Sequence, residues 1–108
     1  MLFTPIENTK PILTLLEIPD DIVSGKSNTY SWKIEGAGTV EHTNIHTSFT
    51  SDFKERKDTE KQSGSSGIYS DELILETDND ITLYIKAHAK IDGENYNSDV
   101  VTKTLKAK

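Results

Sequence analysis

The residues best equipped for chemistry are the three histidines, His42, His46 and His88. Neutral imidazole is the commonest side-chain ligand for a transition metal. His42 and His46 stand in Glu41-His42-Thr43-Asn44-Ile45-His46. The neighbouring Thr39, Val40 and Thr47 favour strand over helix there. Side chains alternate between the faces of a strand, so His42 and His46 share a side. Four residues of straight strand span on the order of 13 Å at ~3.3 Å per residue. Two imidazoles do not comfortably reach across that to one zinc ion at ~2.0–2.1 Å. One ion held by all three histidines therefore needs a bulge or bend between His42 and His46. If the strand of His88 is a neighbour in the same sheet, an easier site joins one of them to His88 across a strand gap of roughly 5 Å, with the Glu41 carboxylate or a water completing it. His42, His46 and His88 are accordingly the candidate metal ligands, and a transition metal such as zinc is the cofactor they suggest. The competing reading is three surface histidines with ordinary hydrogen bonds.

Other chemistry is thinner. Ser24-Gly25-Lys26-Ser27 has the tail of a phosphate loop but neither the upstream glycine nor a following helix, so it reads as a turn. Asp78-Asn79-Asp80 departs from the calcium-loop pattern and reads as another turn. No Ser/His/Asp constellation is supported, because the histidines lie on strands rather than in a shaped cleft. No enzymatic activity is expected. The chain has no cysteine, which excludes thiol nucleophiles, disulfides and iron–sulfur clusters.

With 108 residues, the chain reads as one domain. Its charge is −6, from 18 acidic and 12 basic residues. An acidic surface repels phosphate backbones, so nucleic acid is not an expected partner. No apolar run approaches the roughly 18 residues of a membrane span. Met1-Leu2-Phe3-Thr4-Pro5 lacks the basic and apolar regions of a signal peptide. The chain is therefore expected to be cytoplasmic or a module excised from a surface protein.

The elements that must position the histidines are strands. Thr, Ile and Val make up about a quarter of the chain and suit a pleated surface. Turn chemistry recurs at Pro19-Asp20-Asp21, Glu35-Gly36-Ala37-Gly38 and Asp92-Gly93-Glu94-Asn95. Between the turns the runs alternate with period two. Pro11 to Ile18 is expected to point Ile12, Leu16 and Ile18 inward. Tyr30, Trp32 and Ile34 form the inward side of the next run. In Ile81 to Ile91, the inward set is Leu83, Ile85, Ala87, Ala89 and Ile91, which leaves Thr82, Tyr84, Lys86, His88 and Lys90 outside. Ser51 to Gly67 is charged, then Ser/Gly-rich, and is expected to be a mobile loop without strands. Residues 1–10 read as an N-terminal tail and 11–106 as the folded domain.

Three segments carry a family resemblance. Ser27-Asn28-Thr29-Tyr30-Ser31-Trp32-Lys33-Ile34 looks like a second strand with an inward Trp. Leu83-Tyr84-Ile85-Lys86-Ala87-His88-Ala89 looks like a sixth strand, and Asp92 to Val100 like the hairpin into the last one. On these the chain resembles an immunoglobulin-like sandwich, of the kind of fibronectin type III modules and the Ig-like modules of microbial surface proteins. The resemblance implies an all-β, antiparallel sandwich of about seven strands. It departs from the family at Leu83, where a corner Tyr is usual, and in the third strand, which carries histidines instead of aromatics. Such modules are spacers or binding platforms. The expected function is therefore a non-catalytic spacer or protein-binding domain. Its partner would be another protein, or a second copy, met through a sheet face or edge. The alternative is a small metal- or ligand-binding β-domain built on the histidines.

Overall fold

The computed structural model describes residues 10–36 and 38–108. All but Lys10 of the expected N-terminal tail, 1–10, lies outside the described residues. The described chain is all-β, with ten strand segments and no helix. They are β1 (Ile12–Glu17), β2 (Ile22–Val23), β3 (Ser27–Glu35), β4 (Val40–Ser48), β5 (Arg56–Asp58), β6 (Gln62–Gly64), β7 (Gly67–Ile74), β8 (Ile81–Ile91), β9 (Glu94–Asn97) and β10 (Val101–Lys106). A three-stranded sheet has the order β1-β3-β7. The larger, curled sheet runs β2-β10-β8-β4-β5, with β6 also on β4 and β9 also on β8.

Two expectations about architecture are corrected. The sheets are not purely antiparallel, because β2 runs parallel to β10 through Leu105↔Ile22 and Lys106↔Val23. Nor is the strand count about seven: interruptions split the partners of β4 and of β8 into β5/β6 and β9/β10.

The core follows from the alternation. Tyr30, Trp32 and Ile34 of β3 face Leu83, Ile85, Ala87, Ala89 and Ile91 of β8, and all are buried. Trp32 stacks on Tyr69 of β7, with ring centroids 5.9 Å apart. The small Ala87 and Ala89 leave room for large neighbours at native packing density. A buried indole also needs an acceptor for its N–H. Thr43 of β4 supplies it: Trp32 Nε1 donates to Thr43 Oγ1 at 2.9 Å, and that hydroxyl donates to the His88 carbonyl at 2.7 Å.

Two local expectations fail. In β1 the inward residue is Leu13, while Ile12 and Leu16 are 56% and 45% exposed. The run Ile12-Leu13-Thr14-Leu15-Leu16 is apolar in both parities, so period two alone cannot choose its face. A register shift between Leu15 and Glu17 disturbs it further. The stretch Ser51 to Gly67 is not free of strands, because it contains β5 and β6. Their backbones pair with β4 and their charged side chains stay in water, so little apolar content is required. Phe53 and Thr59 are the buried anchors of the stretch. Thr59 grips Ile45 twice, donating its N–H to the Ile45 carbonyl at 3.0 Å and accepting the Ile45 N–H on Oγ1 at 2.9 Å.

Candidate functional site

The outer face of β4 and β8 gathers the histidines. In the β4–β8 register Asn44 is opposite His88, His42 opposite Lys90 and His46 opposite Lys86. His88 therefore lies diagonally between the other two. Its ring centroid is 4.6 Å from that of His46, nearly parallel at 20°, and 5.8 Å from that of His42. The three rings form a row with His88 in the middle. The second strand of the row, β8, is placed by the Ile81–Ile91 alternation. The hairpin to β9 turns through Asp92 and Gly93, both at positive φ, 49° and 84°. Positive φ at both loop residues is the preference of a tight two-residue hairpin, where Asp-Gly is favoured.

The row sits in a shallow polar trough of about 420 Å³. Asn44 and His46 belong to its floor and are only 2% and 3% exposed. Arg56, Asp58 and Lys61 rim one side and Lys86 and Asn97 the other. Phe53 touches one wall, with the Lys86 ammonium 4.4 Å from its ring centroid, a cation–π distance. Four buried polar atoms find no hydrogen-bond partner among the described residues here: His42 Nδ1, Asn44 Oδ1, His46 Nδ1 and Asp58 Oδ1. The remaining groups are engaged. Asn44 Nδ2 donates to the Thr59 carbonyl at 3.1 Å, and His88 Nδ1 lies 3.1 Å from Asn97 Oδ1.

Burial and neighbouring cations set the charge of the trough. Desolvation, then Arg56, His88 and Lys86, push His46 down to about 3. The ring is thus neutral near pH 7, and its 3.9 Å approach to Asp58 is not an ion pair at that pH. Desolvation, then Lys61, also lowers His42. Burial raises Asp58, partly offset by Arg56, whose guanidinium lies 3.4 Å away. Desolvation and Arg56 lower Lys86.

His88 thus meets both His42 and His46, where the sequence predicts contact with one of them. The bulge, however, falls between Val40 and His42, not between His42 and His46. Among the described residues no group of three His, Cys, Asp or Glu side chains is arranged to hold a metal ion. The Glu41 carboxylate, the expected extra ligand, instead accepts the Gly93 N–H at 2.5 Å. Sequence reasoning missed the rim residues Arg56, Asp58 and Lys61, because they lie in the stretch read as loop. The signal that pointed to the floor was the polar row His42, Asn44, His46 on one parity of β4.

A scan against family models and a search of curated proteins each find no match. Among solved structures the chain is similar to an engineered protein known from a crystal structure. The TM-score is 0.54 at 12% identity, over 94% of this chain. The chain spans 21% of the length of that protein. The likeness is one of fold.

Proposed function

We propose that the chain is a non-catalytic Ig-like module that binds a protein partner by accepting a strand on the edge of β7. The observation that carries this reading is the contrast between β7 and the other sheet edges. A free strand edge is a template for another chain, and proteins usually blunt it. β2 is two residues long. β5 and β6 are three residues each and interrupted. β1 is broken by a register shift and bracketed by Pro11 and Pro19. β7 runs eight residues and pairs with β3 in unbroken register from Ile74 to Gly67. Gln62 Nε2 donates to its Ser70 carbonyl at 2.9 Å, a side-chain guard that an incoming strand can displace. Ile68 and Ile74 are 69% and 46% exposed on the outer face of this strand. Main-chain hydrogen bonds would give affinity, and apolar contacts with the exposed Ile68 and Ile74 selectivity. Asp71 and Glu72 favour a basic partner strand.

The test is a library of extended peptides screened by amide chemical-shift mapping. Binders should perturb Gly67 to Ile74 and lose binding in an Ile68→Lys, Ile74→Lys double variant. Those exposed sites should change stability by less than about 0.5 kcal/mol. Binders that map to β1, β5 or a sheet face would overturn the reading, as would a library without binders.

A further inference from the structure

We propose that the histidine trough on the β4–β8 face binds a hydroxylated carboxylate of the sugar-acid class. This site is on the larger sheet and independent of the β7 edge.

The charge argument comes first. Three cations, Arg56, Lys61 and Lys86, line the trough with one carboxylate, Asp58, which lies 3.4 Å from the Arg56 guanidinium. With His46 and His42 held towards their neutral forms by burial and these cations, the trough is positive within a chain of net charge −6. A cation is repelled from it. A small anion is attracted, and Arg56 is the group suited to a planar carboxylate.

The hydrogen-bond argument narrows the anion. Buried polar groups are costly unless paired. Asn44 Oδ1 and Asp58 Oδ1 are unpartnered acceptors, so the ligand must donate as well as accept. An ammonium would donate, but the surrounding cations oppose it. Hydroxyls donate without charge. His46 Nδ1 and His42 Nδ1 are unpartnered too, and a neutral imidazole nitrogen either donates or accepts according to tautomer. A hydroxyl suits either case. The volume, about 420 Å³, lies in the range of small-molecule sites. The polar lining fits a polyol better than an apolar ligand. A carboxylate beside several hydroxyls meets every one of these conditions, and a hexuronate is the simple example.

The probes are glucuronate and a short oligoglucuronate, followed by amide chemical-shift titration of the whole chain. Glucose, acetate, inorganic phosphate, oligoglutamate and zinc chloride are the controls. Glucuronate should saturate below about 10 mM, a weak-site affinity. Its shifts should cluster at residues 42–46, 56–61 and 86–97. Lys61→Ala, an exposed substitution, should weaken it several-fold while leaving the folded spectrum intact. Glucose and acetate should each bind at least about tenfold more weakly, which is ~1.4 kcal/mol. Tighter binding of the oligomer than of the monomer would assign the natural source to a polysaccharide, and equal binding to a free sugar acid. The proposal is overturned if acetate or phosphate matches glucuronate, if oligoglutamate exceeds it, if zinc alone saturates the histidines, or if nothing binds at about 10 mM.

Discussion

At the residue scale, two buried polar groups carry more consequence than their size suggests. Among the described residues Thr43 is the acceptor for the Trp32 indole, and its hydroxyl donates to the His88 carbonyl. Thr43→Val keeps the volume but leaves Trp32 Nε1 buried without a partner. That should cost about 1–3 kcal/mol, the penalty for an unsatisfied buried donor. Trp32→Ala should cost roughly 3–5 kcal/mol through the cavity it opens. Urea denaturation of both variants checks the pair, and a smaller loss in Trp32→Ala than in Thr43→Val would contradict the packing described. His46 acts through pH. Its folded value, about 3, lies below the ordinary value of 6.5, so the unfolded chain binds the proton more readily. Stability from this group is therefore full above about pH 6.5 and is lost as pH falls from there towards 3. Asp58 has the opposite sign, because burial raises it and its protonation favours the fold. Between about pH 6.5 and 3 the two groups oppose each other, and the large shift is the one at His46. Denaturation midpoints should fall across that window in the parent and stay flatter in His46→Gln.

At the element scale, β3 and β8 were legible in the sequence and β1, β5 and β6 were not. The Leu83 to Ile91 alternation admits one register, because a slip by one residue would bury Lys86, His88 and Lys90. That register, together with the strand adjacency implied by the Ig-like resemblance, placed His88 on the same face as His42 and His46. β1 has leucine or isoleucine on both parities, so its pattern carries no direction. β5 and β6 carry almost no pattern, because as edge segments they are held by backbone pairing and by single anchors. Composition does not reveal an anchor such as Thr59, whose role depends on meeting Ile45. The trough was half visible for the same reason: its floor and Lys86 lie on patterned strands, and the rim cations Arg56 and Lys61 in the unpatterned stretch. Thr59→Val tests the anchor. The Ile45 N–H would lose its 2.9 Å acceptor, costing about 1–3 kcal/mol. Hydrogen exchange should accelerate at Ile45 and along β5 more than along β3. Uniform acceleration would show that β5 and β6 are not held separately.

At the scale of the whole molecule, the order of closure follows from topology. The β8–β9 hairpin is local, and its turn residues are preset for it. The parallel β2–β10 pair instead joins Ile22 to Leu105, nearly the full described chain apart. Loop-closure entropy makes such a contact costly to form before the intervening strands are in place. Sandwiches dominated by non-local pairing fold on the millisecond-to-second scale, and this pair should form after the transition state. Leu105 is fully buried, so Leu105→Ala should cost about 2–5 kcal/mol. That loss should fall on the unfolding rate, leaving the folding rate within about twofold, as expected for a contact absent from the transition state. Stopped-flow chevrons of the parent, Leu105→Ala and Ile85→Val decide it. If Leu105→Ala slows folding as much as the core variant does in proportion to its stability loss, the termini meet early. The two sheets would then close around that contact rather than be sealed by it.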